Sequence, residues 1–135
     1  MIRYTSDLEN IGEDMLDGFF VGWPNPPSAK THLEILSNSY KILLAIDDEH
    51  GRVVGFINAI SDGCIAAFIP LLEVLPGYQG QGIGTHLMMS MIESLEHLYM
   101  VDLGCDSDKV SYYKNKCGML LAGNLMSRRN YNVLG

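Results

Sequence analysis

Basic residues are scarce in this chain of 135 residues: nine Lys and Arg stand against sixteen Asp and Glu, for a formal net charge of −7. Nucleic-acid backbones are held by clustered Lys and Arg, and the nine here are scattered. No nucleic-acid partner is therefore expected, and a cationic acceptor suits the chain better. Cysteine is also rare. Cys64, Cys105 and Cys117 are an odd number without C-x-x-C spacing, which argues against a disulfide frame or a metal site and predicts buried free thiols. No apolar run approaches the roughly 20 residues that a bilayer span requires, and Met1-Ile2-Arg3-Tyr4-Thr5 lacks the apolar region of a secretory leader. The expectation is a soluble, cytoplasmic protein with no membrane partner. Of the five prolines, three crowd into Trp23-Pro24-Asn25-Pro26-Pro27, where they interrupt any helical pattern.

Apolar residues make up 47% of the chain and charged residues 19%, the balance of a globular domain. At this length residues 1–135 read as one domain that buries roughly two thirds of its unfolded surface. Its most informative stretch is Val74-Leu75-Pro76-Gly77-Tyr78-Gln79-Gly80-Gln81-Gly82-Ile83-Gly84, which joins an apolar run to an amphipathic one. Cys64 to Leu75 reads as a buried strand. Thr85 to Leu98 places Leu87, Met88, Met91, Ile92, Leu95 and Leu98 on one helical face. A loop with so few side chains binds through its backbone. Gly80, Gly82 and Gly84 let successive N–H groups turn toward one point, the free amides of the first helical turn add partial positive charge there, and an anion such as a phosphate belongs at that point.

Spacing separates the loop families that use this physics. A Walker loop counted from Gly77 needs Lys and then Ser or Thr where Ile83 and Gly84 stand, and a dinucleotide fingerprint counted from Gly80 needs glycine where Thr85 stands. What fits is V-x-P-x-x-[QR]-G-x-G-[IAL]-G, matched without a gap by Val74, Pro76, Gln79, Gly80, Gly82, Ile83 and Gly84. Here the sequence resembles the GNAT superfamily of acyl-CoA-dependent N-acyltransferases. The resemblance continues downstream: Tyr99 to Cys105 looks like that family's fifth strand, and Val110-Ser111-Tyr112-Tyr113-Lys114-Asn115-Lys116-Cys117-Gly118-Met119 looks like its following helix. Four residues separate Tyr113 from Gly118, where the family commonly has three.

The remaining elements follow from pattern. Ile2 to Ser6 reads as a strand, Leu8 to Val21 and Ser28 to Ser39 as helices, and Tyr40 to Ile46 and Arg52 to Ile60 as strands joined by a turn at Asp47-Asp48-Glu49-His50-Gly51. A helix from about Asp108 to Lys116 follows the fifth strand, then a short hairpin pairing Leu120 to Ala122 with Leu125 to Arg129. By resemblance, this order implies an α/β fold with a mixed, mostly antiparallel central sheet of six or seven strands. Its fourth and fifth strands splay apart around the cofactor's pantetheine arm.

The resemblance implies N-acetyl transfer from acetyl-CoA to a primary amine, a small molecule or a peptide, by direct attack in a ternary complex. It implies a backbone N–H in the Leu72 to Val74 region, where the fourth strand bulges, for the oxygen. The diphosphate goes to the segment Gln79, Gly80, Gln81, Gly82, Ile83, Gly84 and Thr85, with Thr85 capping the helix. Glu73 is the candidate base. An alkylammonium near pKa 10.4 and a carboxyl near 4.3 differ by about six units, roughly 8 kcal/mol, so relay through one or two waters is easier than direct deprotonation. Tyr113 is the candidate donor to the leaving sulfur, with Tyr112 as the alternative; a phenol donating to a thiolate is uphill by about 2 kcal/mol, so a hydrogen bond can suffice. No metal is implied, and a homodimer is compatible. A CoA-binding regulatory module without catalysis and a nucleotide-binding domain are the two other classes that a glycine loop could serve.

Overall fold

The computed structural model describes residues 1–133. Five strands form one sheet: β1 (Ile2–Thr5), β2 (Lys41–Asp47), β3 (Arg52–Ser61), β4 (Ala66–Val74) and β5 (Met100–Asp102). They lie in chain order, antiparallel from β1 to β4, with β5 parallel to β4. Three helices cover them: α1 (Ala29–Ser37), α2 (Ile83–Ser94) and α3 (Val110–Cys117). Ser28 caps α1 by accepting the Thr31 N–H, and Gly118 ends α3 in the left-handed region, where its N–H reaches the Tyr113 carbonyl.

Two expectations are corrected. The sheet has five strands, not six or seven, and no strand or helix occurs at residues 118–133. The expected hairpin there has paired leucines and a Leu-Met step rather than alternation, and Leu120, Leu121, Leu125 and Met126 are exposed. No face exists for it to bury. The helix expected from Leu8 to Val21 is an irregular segment with one short turn at Glu13–Met15. Asn10 and Phe20 sit at φ 63° and 62°, and Gly18 at 89°, which are left-handed values no α-helix accommodates.

The core lies on both faces of β2 and β3. Leu44, Ile46, Val53, Val54, Phe56 and Ile57 are fully buried, and full burial of a side chain such as Phe56 is worth about 2–3 kcal/mol. From α2, Leu87, Met88, Met91 and then Leu95 pack on one face. On this face Gly55 admits the helix: a Cβ there would stand 3.2 Å from both Ile83 and Leu87 side chains. The opposite face carries α1 and the irregular segment, with Phe19, Phe20 and His32 clustered on Phe56.

The feature that makes room for a site is on β4. Asn58 pairs with Leu71 and Ile60 with Phe68, so Ile69 and Pro70 together oppose Ala59 in a β-bulge. This bulge precedes the Leu72 to Val74 region where it was expected, and the ladder from Leu71 to Val74 is regular. On the other edge β5 runs beside β4 only from Ala66 to Phe68. Past the bulge, which includes a proline with no N–H to give, that edge of β4 has no strand beside it.

Candidate active site

After β4 the chain makes a short turn at Pro76–Tyr78, passes Gly80 at φ 79° and enters α2 through Gly82 at φ 82°. Both glycines occupy conformations that L side chains rarely adopt, so the sequence G-x-G is a backbone requirement. The first α-helical bond joins the His86 N–H to the Gly82 carbonyl. The N–H groups of Ile83, Gly84 and Thr85 therefore have no helical acceptor, and no side chain caps them. Thr85 was expected to be that cap. Its hydroxyl instead meets the Tyr112 hydroxyl at 2.7 Å, which ties the start of α2 to α3. Gln79 to Gly82 are exposed, while the Ile83 side chain is buried and contributes only its amide. Gly84 lies against the Val74 side chain, and the Gln79 side-chain amide donates to the Val74 carbonyl at 2.9 Å.

The Leu75 N–H donates to the Val54 carbonyl at 2.8 Å. In an antiparallel ladder the bonded pairs alternate, so Glu73 and Leu71 also face β3, and the N–H groups of Leu72 and Val74 point to the opposite edge. That is the edge β5 has left. A crevice of about 210 Å³ opens there, lined by Ile69, Pro70 and Leu72 of β4, Met88 of α2, the Leu103 to Asp106 segment, and Lys109 and Tyr113. Burial is the first cause that pushes the Tyr113 phenol above its ordinary value, so its proton stays in place at neutral pH. Tyr113 and Tyr112 meet edge to face at 5.1 Å, but only Tyr113 lines the crevice.

Glu73 stands on the other face of β4, across from Phe56. Its Oε1 accepts the Phe20 N–H at 2.8 Å and its Oε2 the Val21 N–H at 3.2 Å. The carboxylate thus holds the strained turn at Phe20, a bond partner that its position on a strand did not reveal. Phe20 in turn stacks edge to face on Trp23, which is 42% exposed at the rim. Farther along, the Asn25 side chain donates to the Tyr131 carbonyl and joins the proline loop to the C-terminal segment. Glu73 does not line the crevice that holds Tyr113.

Three polar residues are buried, His32, Asp47 and Asn58, and two of them are titratable. His32 is 1% exposed with both ring nitrogens unpartnered, boxed by Phe19, Phe20 and Phe56, and burial drives it down to about 4. The signal was its helical register with Leu36. Asp47 closes the β2–β3 hairpin, and the Tyr78 hydroxyl, then the His50 ring, hold it down at about 2. Ligand atoms of Asp47, Glu49 and His50 lie within 4.8 Å of one another, a grouping the turn sequence contained, although the Asp47 oxygens are taken up by hydrogen bonds. Of the three free thiols only Cys117 is buried; Cys64 and Cys105 are exposed, contrary to expectation, because they fall in turns beyond strand ends. His86 is exposed and stacks on Tyr4, and His97 bonds the Tyr40 hydroxyl.

A model of the acetyltransferase (GNAT) family matches residues 8–119. Among curated proteins, histone acetyltransferase TAP1 of Glycine max is 37% identical over 106 residues, which cover 70% of this chain and 46% of that protein. The uncharacterized N-acetyltransferase ycf52 of Porphyra purpurea is 30% identical over 118 residues, 82% of this chain and 67% of that one. The chain spans about half the length of the first relative and two thirds of the second. Among solved structures, a presumed acetyltransferase of Deinococcus radiodurans R1 superposes with a TM-score of 0.90 at 44% identity, over 97% of this chain and 90% of that one. A GNAT family protein of Streptococcus pneumoniae TIGR4 gives 0.71 at 31%, over 96% and 100%.

Proposed function

Because the chain belongs to the GNAT acetyltransferase family, we propose that it moves an acetyl group from acetyl-CoA to a primary amine by direct attack in a ternary complex. The observation that carries this reading is the junction at the end of β4: unpartnered amides of Ile83, Gly84 and Thr85, an unaccompanied strand edge at Leu72 to Val74, and a crevice ending at Tyr113. The donor set fits a diphosphate, and the crevice lies along the strand edge that β5 leaves. In this reading the backbone of Gln79, Gly80, Gln81, Gly82, Ile83, Gly84 and Thr85 holds the diphosphate, and the pantetheine arm extends beside Val74.

The amine nitrogen bonds to the thioester carbonyl carbon and the carbon–sulfur bond breaks. Negative charge that develops on the carbonyl oxygen meets the N–H of Leu72 or Val74, and one preorganised amide of this kind supplies about 3 kcal/mol. The sulfur leaves as a thiolate that Tyr113 meets with a hydrogen bond; burial keeps the phenol protonated and so able to donate it. The amine's proton departs on the opposite face of β4 through one or two waters to Glu73, whose oxygens each keep a lone pair beyond the Phe20 and Val21 bonds. In this reading the proton leaves toward Glu73 on one face of β4 and the thiolate toward Tyr113 in the crevice. The net charge of −7 favours a cationic acceptor. A soybean relative is named for histone acetylation, so a lysine-rich peptide and a polyamine are the acceptors to screen first.

Calorimetry with millimolar acetyl-CoA tests the binding, and release of free CoA against an amine panel tests the transfer. Tyr113→Phe is expected to lower kcat with little change in acetyl-CoA affinity. An equal effect from Tyr112→Phe, with none from Tyr113→Phe, would transfer the role to Tyr112.

A further inference from the structure

The glycine loop faces a mechanical difficulty: Gln79 to Gly82 are exposed and lie between a strand end and a helix start, yet must present several amides to one point. Two side-chain bonds fix its base. On one side is the Gln79 bond to the Val74 carbonyl, within the same stretch of chain. On the other, the Tyr78 hydroxyl donates to Asp47 Oδ2 at 2.6 Å, across 31 residues of sequence. Asp47 is 5% exposed.

The division of labour between its two oxygens is informative. Oδ1 accepts the N–H groups of Glu49 at 3.0 Å and His50 at 3.3 Å, and those two bonds complete the hairpin turn. The turn's backbone makes no use of Oδ2. That oxygen takes the His50 ring at 2.7 Å and the Tyr78 hydroxyl. Burying a carboxylate is costly unless its lone pairs are matched, and here the oxygen that the turn's backbone leaves over joins the loop's Tyr78 to the hairpin's His50. The His50 side chain is largely exposed and braces the carboxylate from outside.

Resting on the acetyl-CoA reading above, we propose that Asp47 and Tyr78 form a strut that positions the diphosphate-binding loop. Asp47 is then a positioning residue, acting through Tyr78 and touching neither reactant. The hairpin carries it because β2 and β3 are the most buried strands of the sheet, so their turn is a fixed point for an exposed loop.

The test uses Tyr78→Phe, which keeps the ring and removes the donor, and Asp47→Asn, which keeps an Oδ1 for the turn. Each is compared with the unaltered chain on acetyl-CoA and on S-acetylpantetheine, which carries the same thioester without diphosphate. For Tyr78→Phe the KM and Kd for acetyl-CoA are expected to rise roughly tenfold, the scale of one hydrogen bond to a charged group; Asp47→Asn should act in the same direction. The kcat at saturation and the kcat/KM with S-acetylpantetheine should stay unchanged. Acetyl-CoA affinity within twofold of the unaltered chain, or a parallel loss with S-acetylpantetheine, overturns the strut. Amide exchange without any ligand gives an independent reading: exchange at Tyr78 and His86, whose N–H groups are hydrogen-bonded at the two ends of the loop, should quicken in Tyr78→Phe while that of Phe20 and Val21 holds. Unchanged exchange at the loop also overturns the strut. If the unaltered chain binds no CoA, the proposed function fails and the exchange experiment still decides the strut.

Discussion

The two faces of β4 are built differently. On the α2 face, the glycine loop is one contiguous stretch whose conformation follows from Gly80, Gly82 and two bonds at its base. On the α1 face, Glu73, Phe20, Trp23 and His32 come from distant places and meet through an aromatic cluster. Two buried titratable side chains also have opposite solutions. Asp47 is charged and satisfied by four hydrogen bonds, whereas His32 has none and stays neutral among phenyl rings. The lesson is that the loop's form is set by local backbone, while the cluster around Glu73 is an assembly that only the tertiary structure creates.

The largest expected effect sharpens the contrast between those two groups. The His32 value is lowered from 6.5 to about 4 in the folded chain. The unfolded chain then binds the extra proton first, so stability falls as pH drops from 6.5 toward 4, by up to about 3 kcal/mol, and levels off below. Asp47 acts in a lower window: its stabilisation is present above 3.8 and is lost as pH falls toward 2. Thermal unfolding of the protein and of His32→Phe across pH 7 to 3 separates them, and an unchanged slope between pH 6.5 and 4 in His32→Phe would refute the assignment.

Next in size, Glu73→Gln removes charge from an acceptor of two backbone N–H groups, an effect of about 2 kcal/mol. Amide exchange at Phe20 and Val21 should accelerate while the heat of CoA binding holds; loss of both would mean that the faces are not independent. Gly82→Ala meets no atom within 4 Å but must adopt φ 82°, at about 1–2 kcal/mol. It should weaken acetyl-CoA binding and spare the Phe20 turn, as titration and exchange would report. Ser28→Ala, which removes the α1 cap, should lower the unfolding free energy by about 1 kcal/mol in urea titration without changing CoA affinity.

How far the sequence led depends on the same contrast. The loop from Val74 to Gly84, the strand pattern from β1 to β4 and the helix α3 were readable because period and punctuation are local signals, whereas Tyr113 was singled out only through the resemblance to the GNAT family. The strand count was not, since apolar residues near the C-terminus suggested pairing that no buried face supports. Nor was the segment from Leu8 to Val21, where left-handed Asn10 and Phe20 are not announced by residue type. Glu73 was singled out for its place beside Val74, but its two backbone partners lie more than fifty residues away. An Asp at the head of a five-residue turn was a signal for the Oδ1 bonds; nothing in it pointed to Tyr78.

Because Ile69 and Pro70 share one opposing position on β3, the handedness of everything after them is set by a count. Deleting one codon there would turn the strand's remaining residues over, aiming a carboxylate at the Ile83 and Leu87 side chains and an isopropyl group at the amides of Phe20 and Val21. At this point of the gene the reading must keep its parity.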